Sequence, residues 1–418
     1  MKTTTTLTLT TTLILIILVC GCLHTTPDTK TGEPGEIGET KKITWYAAML
    51  DGEWELYKPI VSEFTNRTGI AVEVELYGGK WDELSEKLKN EVESGKGTAD
   101  VVTIDDFAVT KNREYVYDLT GDVEAWNEWD ALYDAKKQSG VFDGRIYFIP
   151  WRADCLTMYV NIEKLKEHNL KPPETIDELI DTARVLHEKE GTGRVGLKAK
   201  KYEGLTCEIA VFINAYGGDY MTFNSESNVR AFESLRKLSN YLHPESKNYD
   251  EGSIPDAISG EDIYINFNWP YQLSVLEKNN MSEKIKAFPT PRGPVSRGTT
   301  TGGGFLAVSA ASQNKAEAWE FIKFISSKRG QGMQLQTTGW LPVRDDAWDY
   351  LKEVEPAKYT NLMPYRETLR YGLTRPPVIE YPKLTELWQD AFREIVWENK
   401  TVNETLDKYQ IIWESKRE

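Results

Sequence analysis

Two aromatic residues, Trp269 and Tyr271, flank a proline directly after the apolar stretch 263–267. Further on, the run 299–305 (TTTGGGF) lets a ligand approach main chain closely, because glycine carries no Cβ. Two segments that read as loops, 338–344 (TGWLPVR) and 375–377 (RPP), add Trp, Pro and Arg. Asp105 and Asp106 follow the strand-like segment 99–104 (ADVVTI). Flat rings match the apolar faces of pyranoses, and Asp, Glu and Arg make charge-assisted hydrogen bonds to the hydroxyls around the ring. A sugar needs both, since it has an apolar face and a polar rim. Taken singly, each of these aromatics is more often core than ligand platform.

Enzyme chemistry has no comparable pattern. The sequence lacks a P-loop, a GxSxG elbow, a GxGxxG opening a helix and an HExxH box. Its 4 histidines (His24, His168, His187, His243) are scattered, and no CxxC pair offers metal ligands. No catalytic residue, cofactor or metal is therefore expected. Carboxylate pairs suited to glycoside hydrolysis exist, but 65 acidic residues make some pair inevitable. A net charge of -15 repels phosphate backbones and excludes nucleic acid as an expected partner.

The elements that must position these residues follow from periodicity. The segment 43–48 reads as a buried strand, and Trp54, Tyr57, Ile60, Val61 and Phe64 fall at helical spacing behind it. The strictly alternating 71–76 (AVEVEL) predicts a half-exposed strand. Trp81, Leu84, Leu88 and Val92 predict another helix, leading into the strand that ends at Asp105. This alternation defines an α/β fold with a largely parallel sheet, whose ligands bind beyond the C-terminal strand edges. After Pro150 the pattern begins again. Thr175 and Glu178 have capping-box spacing, and further helices are predicted over 314–327, 381–397 and 403–413. With 40% hydrophobic residues, 13 Trp, 21 Tyr and 13 Phe, the chain can support two domains.

The N-terminus implies export. Lys2 precedes an apolar run, 13–19 (LILIILV), of signal-peptide length and too short to span a bilayer. Gly21 before Cys22 fits a lipoprotein signal, which predicts a signal peptide over 1–21 and lipid on Cys22. The Thr-, Gly-, Pro- and charge-rich stretch that follows predicts a flexible tether over 22–41. With Cys20 in the signal, Cys155 and Cys207 remain, equally compatible with one disulfide or two buried thiols.

From residue 42 onward the chain resembles the family 1 extracellular solute-binding proteins, in particular their archaeal trehalose/maltose-binding branch. The resemblance rests on 201–207 (KYEGLTC), 268–271 (NWPY), 303–305 (GGF), 318–324 (AWEFIKF), 338–344 and 375–384 (RPPVIEYPKL), in that order. It implies two α/β lobes joined by three crossings near 150–154, 303–307 and 340–343, with a ligand cleft between them. One lobe would hold 42–150 and 307–340, the other 151–306 and 341–418. It also implies a monomer on the extracellular face of the membrane, delivering its sugar to an ABC permease served by a separate ATPase.

Carried over by position, the resemblance implies ligand contacts from Glu53, Asp105, Asp154, Tyr202, Trp269, Tyr271, Gly304, Phe305, Arg375 and Trp388. Three positions depart from the branch. Phe305 replaces a tryptophan, Arg152 replaces a tyrosine, and Leu84 or Ser85 stands where the branch has an arginine. These changes point to a different sugar, linkage or chain length. A polyol or peptide cargo, or a surface glycosidase, is the alternative reading.

Overall fold

The computed structural model describes residues 41–78 and 80–416. The signal segment, Cys22 and the tether up to residue 40 lie outside the described residues. Chain order begins as the periodicity predicts. Strands β1 (Lys42–Ala47), β2 (Ala71–Leu76) and β3 (Val101–Asp105) form a parallel set with β1 in the middle. Helices Asp51–Thr68 and Trp81–Ser94 connect them. The first helix buries Tyr57, Ile60, Val61 and Phe64 and stops at Gly69, whose φ of 74° suits a residue without Cβ. Period-two alternation sends Ile43, Trp45 and Ala47 into one core and Tyr46 into another on the opposite face. In β2 the exposed positions are Glu73 and Glu75, as an edge strand requires.

A small hairpin, β4 (Val141–Phe142) with β5 (Arg145–Ile146), leads to the strands that tie the molecule together. Strand β6 (Ile149–Cys155) is separated from β7 (Thr157–Asn161) by Leu156 alone. Strands β8 (Val195–Gly196), β9 (Ile265–Asn268), β10 (Ile285–Phe288), β11 (Thr299–Val308) and β12 (Gly372–Leu373) follow. The first sheet has the order β12-β11-β3-β1-β2, with β6 also paired to β11. The second has the order β10-β7-β9-β8, in which β8 and β9 are parallel and β7 runs antiparallel to its two neighbours. The chain thus passes from one sheet to the other within a single residue at Leu156.

The glycine run, read from sequence as a place of close approach, is the middle of the ten-residue strand β11, buried throughout. It pairs antiparallel with β3 on one side and β6 on the other, aligning Gly304 with both Asp105 and Arg152. The register with β6 shifts between Gly304 and Phe305. Ala153 also donates its N–H to Leu341 O at 3.0 Å. The three segments expected to cross therefore lie side by side.

Helices Ile176–Glu190, Glu203–Ala215, Glu226–Ser239, Tyr381–Phe392 and Val402–Glu414 contribute to the core around the second sheet. Thr175 accepts the Glu178 N–H at 3.1 Å, as its spacing predicts; the Glu178 carboxylate reaches back to Glu174 N at 2.7 Å. The end predicted at 397 divides in two: the α-helix stops at Phe392, and a wider π-turn covers Arg393–Trp397. Much of the aromatic content serves the cores, for Trp45, Trp151, Trp348, Trp388 and Trp413 are all fully buried. Cys155 and Cys207 are buried free thiols, which settles the choice left open by their spacing. Among the described residues, no helix is long and apolar enough to cross a membrane.

Gly303 has a φ of 118°, and a Cβ there would stand 2.2 Å from the Arg152 carbonyl oxygen. Gly303→Ala is expected to cost about 1–3 kcal/mol, seen as a lower urea midpoint. Gly52→Ala, with no atom within 4 Å of the added methyl, is the control and should leave the midpoint unchanged or raise it.

Candidate functional site

Where β3, β6 and β11 meet the start of β12's following loop, charged groups from both sheets converge on Gly302. Its carbonyl accepts from Lys136 Nζ at 3.1 Å, and its register partner on β6 is Asp154. A Cβ on Gly302 would lie 3.1 Å from the outer edge of the Trp269 ring and 3.6 Å from Arg375 Nη2. The glycine thus leaves room for an indole and a guanidinium to sit against bare main chain.

Lys136 also holds both Asp106 oxygens, at 2.6 and 2.7 Å, in a pair whose side chains are each 2% exposed. The same ammonium stands 4.8 Å from the centre of the Phe305 ring. Beside this pair, Asp105 caps the turn after β3 by accepting the Phe107 N–H at 3.3 Å. Burial pushes its pKa up from 3.8 to about 6, against the pull of Arg375. Burial likewise raises Asp154, while Arg152, at 3.4 Å, pulls it down. The Arg152 guanidinium lies over the Trp340 ring at 4.6 Å, and Trp340 packs edge-on against Trp151 at 5.2 Å.

Arg375 joins the two halves. Its guanidinium is 3.8 Å from Asp105 and from Asp106, on the first sheet's side, and 3.3 Å from Glu203, at the start of a helix on the second. Glu203 is itself held by the Tyr381 hydroxyl at 2.5 Å and the Thr385 hydroxyl at 2.7 Å. Arg375 Nε is buried without a hydrogen-bond partner.

Aromatic surface comes from the second sheet. Trp269 and Tyr271 follow β9, with Trp269 partly buried and Tyr271 41% exposed. Tyr271 donates to the Glu251 carbonyl at 2.5 Å and accepts from Asn268 Nδ2 at 3.1 Å, which fixes its ring. The Lys198 ammonium lies 5.8 Å from the Trp269 ring and is buried with Glu208 at 3.3 Å. Burial pushes Glu208 up to about 7. The Tyr202 hydroxyl stands over Gly204, and burial and nearby Glu251 raise its pKa.

Of the residues expected at the site, Asp105, Asp154, Trp269 and Arg375 come together around Gly302, with Tyr271 and Tyr202 on the second-sheet side. Glu53 is half-buried and caps its helix by accepting the Leu50 N–H at 2.8 Å, with Asp154 within its electrostatic reach. Three expectations need correction. Trp388 is fully buried, stacked at 3.9 Å on Phe223 and flanked by Phe232, so both its faces are taken by core. Phe305 is also fully buried, packed edge-on against Phe148 and facing Lys136. Gly304 meets Ile104 O and Trp151 rather than open space, and Gly302 is the glycine that faces the charged groups. Sequence reasoning missed Lys136 and Lys198, since an isolated lysine carries no signal of burial. Glu203 lies within 201–207 beside Tyr202, but nothing in that segment's sequence marks it as the partner of Arg375.

Among the described residues no cluster of His, Cys, Asp and Glu is arranged to hold a metal ion. The arrangement suits reversible capture of a neutral polar molecule: rings on one side, charged hydrogen-bonding groups on the other.

Comparison with known proteins agrees with this architecture. Residues 59–364 match the family described as bacterial extracellular solute-binding protein, and the chain belongs to that family. A "Probable ABC transporter-binding protein" of Deinococcus radiodurans is 27% identical over 52% of this chain, an alignment that spans only 56% of that relative's length. The diacetylchitobiose-binding protein DasA of Streptomyces coelicolor is 23% identical over 80% of each chain. The maltose-bound MalE3 of T. maritima superposes with a TM-score of 0.73 at 22% identity, covering 89% of this chain and 99% of its own. The fold is therefore the two-lobe α/β architecture of these binding proteins.

Asp105 binds its proton more tightly folded than unfolded, so its contribution favours the folded state at low pH. That contribution is lost as pH rises from about 4 through about 6. Asp105→Asn should flatten the wild-type fall in urea midpoint over this interval. Lys136→Met strands a buried carboxylate and is expected to cost about 3–5 kcal/mol, whereas pairing it with Asp106→Leu should restore most of the melting temperature.

Proposed function

We propose that this chain captures a di- or oligosaccharide of the maltose or trehalose type outside the cell and delivers it to the permease of an ABC importer. Lipid on Cys22 would hold it at the outer face of the membrane, and a separate ATPase would power the permease. The observation that carries the reading is the Trp269 ring lying against Gly302 beside Arg375, with Asp105 ion-paired to Arg375, Asp154 opposite Gly302 and the exposed Tyr271 ring two residues from Trp269. A pyranose needs that division of labour. The rings take its apolar face, and the carboxylates and guanidinium take its hydroxyls. Family membership and the sugars named for DasA and MalE3 support the same conclusion. The lobe limits, 42–150 with 307–340 and 151–306 with 341–418, belong to this proposal. In it the two lobes close because only the closed state supplies hydrogen bonds to both sides of one ligand.

The test is a thermal-shift screen of the chain against maltose, trehalose, longer glucans, diacetylchitobiose, polyols and peptides. One carbohydrate is expected to raise the melting temperature by an amount that grows with its concentration. Trp269→Ala should abolish that shift while the unliganded protein still melts cooperatively. A shift with a polyol or peptide alone, or with no carbohydrate, overturns the sugar assignment.

A further inference from the structure

The turn that carries Trp269 and Tyr271 is held from behind by a buried lysine. Lys198, two residues beyond β8, and Glu208, in the helix Glu203–Ala215, form an ion pair at 3.3 Å with both side chains fully buried. An ammonium has three protons to donate and no acceptor. One goes to Glu208, and the others reach the Asn268 side-chain oxygen at 3.1 Å and the Phe267 carbonyl at 3.4 Å. Two of the three therefore end on the residues just before Trp269, and the ammonium stands 5.8 Å from the Trp269 ring centre. We propose that Lys198 is a positioning residue for ligand capture, its ammonium locking the Asn268 amide so that the Trp269 and Tyr271 rings are presented in one fixed orientation. The inference rests on the reading that these rings hold the ligand.

With its oxygen taken by Lys198, the Asn268 amide has only its donor side to offer the turn. Its Nδ2 reaches Tyr271 Oη at 3.1 Å and Gln272 Oε1 at 2.7 Å, and the Tyr271 hydroxyl donates in turn to the Glu251 carbonyl at 2.5 Å. Gln272 Nε2 donates to Asn266 Oδ1 at 3.2 Å, which closes the network on β9. Turning the Asn268 amide over would set its NH2 against the ammonium, donor against donor. The lysine thus dictates which way the whole chain of bonds points. Tyr159 secures the main chain of the turn instead, donating to the Trp269 carbonyl at 3.0 Å. Stability is a poor account of the pair, because apolar side chains of similar size often replace a buried ion pair without loss. Glu208 Oε2 has no hydrogen-bond partner, so the carboxylate serves Lys198 and no wider network. The same helix begins at Glu203, which lies 3.3 Å from Arg375, so one helix anchors both the guanidinium and the ring-bearing turn.

Calorimetric titration with maltose and trehalose, together with fluorine NMR of the chain labelled with fluorotryptophan, tests the idea. Lys198→Met alone strands the Glu208 carboxylate, so the informative variant is Lys198→Met with Glu208→Gln, which removes both charges. Glu208→Gln alone is the control, since it keeps the Oε1 acceptor and both lysine bonds to 267–268. The double variant is expected to melt close to wild type yet bind the sugar about tenfold more weakly, while the control stays within about twofold of wild type. Without sugar, the Trp269 line, identified by its loss in Trp269→Phe, should be single and sharp in wild type and control. It should broaden or split in the double variant, whereas the line of Trp388, stacked on Phe223, stays as it is. Unchanged affinity in the double variant, an equal loss in the control, or a Trp269 line left sharp overturns the positioning role. So does a double variant that no longer melts cooperatively, which would make the pair a stability element. If wild type binds neither sugar, the sugar reading falls and the fluorine line alone decides the role of Lys198.

Discussion

The Lys136 ammonium has no contact with water to speak of, yet it determines where the charged groups around Gly302 can stand. It takes both oxygens of Asp106 and the carbonyl of Gly302, and its remaining side faces the Phe305 ring. Removing two charges from water costs several kcal/mol per ion, and only tight geometry with further hydrogen bonds offsets it. Asp106 fixed in this way sets the direction of the chain after β3, so that Asp105 and Phe107 emerge at the seam. The carbonyl bond holds β11 at Gly302, opposite Asp154. Through one buried pair, three strands are kept in register at the place where the chain passes between its two sheets.

Around that pair, much of the aromatic content acts as scaffolding. Trp151 donates to Tyr57 Oη at 2.8 Å, Tyr57 donates to Gln334 at 3.1 Å, and Trp45 donates to Thr103 at 3.0 Å. These indoles and phenols are large apolar bodies with satisfied polar ends, so they can lie fully buried beside a polar site without loss. Trp340 is the outermost of the group and lends its face to Arg152 rather than to a ligand. Within this surround, Gly303 takes a positive φ that only a residue without Cβ accommodates beside the Arg152 carbonyl.

The elements were legible in the sequence wherever burial imposed a period. β1, β2, β3 and the helices between them follow from apolar spacing, because each has one face or stripe inside and the rest out. The capped helix at Thr175 and the terminal helices follow for the same reason. The glycine run was harder: a strand buried on both faces has no alternation, and three glycines in a row resemble a loop. The aromatics were hardest to sort. Trp269 and Trp388 are the same residue type, and only the tertiary neighbours show that Phe223 and Phe232 cover one while a glycine lies beside the other. Buried lysines left no trace at all, since their partners, Asp106 for Lys136 and Glu208 for Lys198, come from distant parts of the chain.

Arg375 gives the seam an internal occupant. Its guanidinium is hydrogen-bonded to Glu203 on one side and faces Asp105 and Asp106 at 3.8 Å on the other, which is the set of positions a bridging polar molecule would occupy. Any incoming molecule therefore enters an exchange rather than a vacancy: it either displaces the side chain from some of its acids or recruits the unpaired Nε as a further donor. In the first case, measured affinity is a difference between two filled arrangements, and a molecule that cannot out-compete a guanidinium is rejected however well it fits the rings. In the second, arginine and cargo bind as one composite, and the protein's own counterion becomes part of what it recognises.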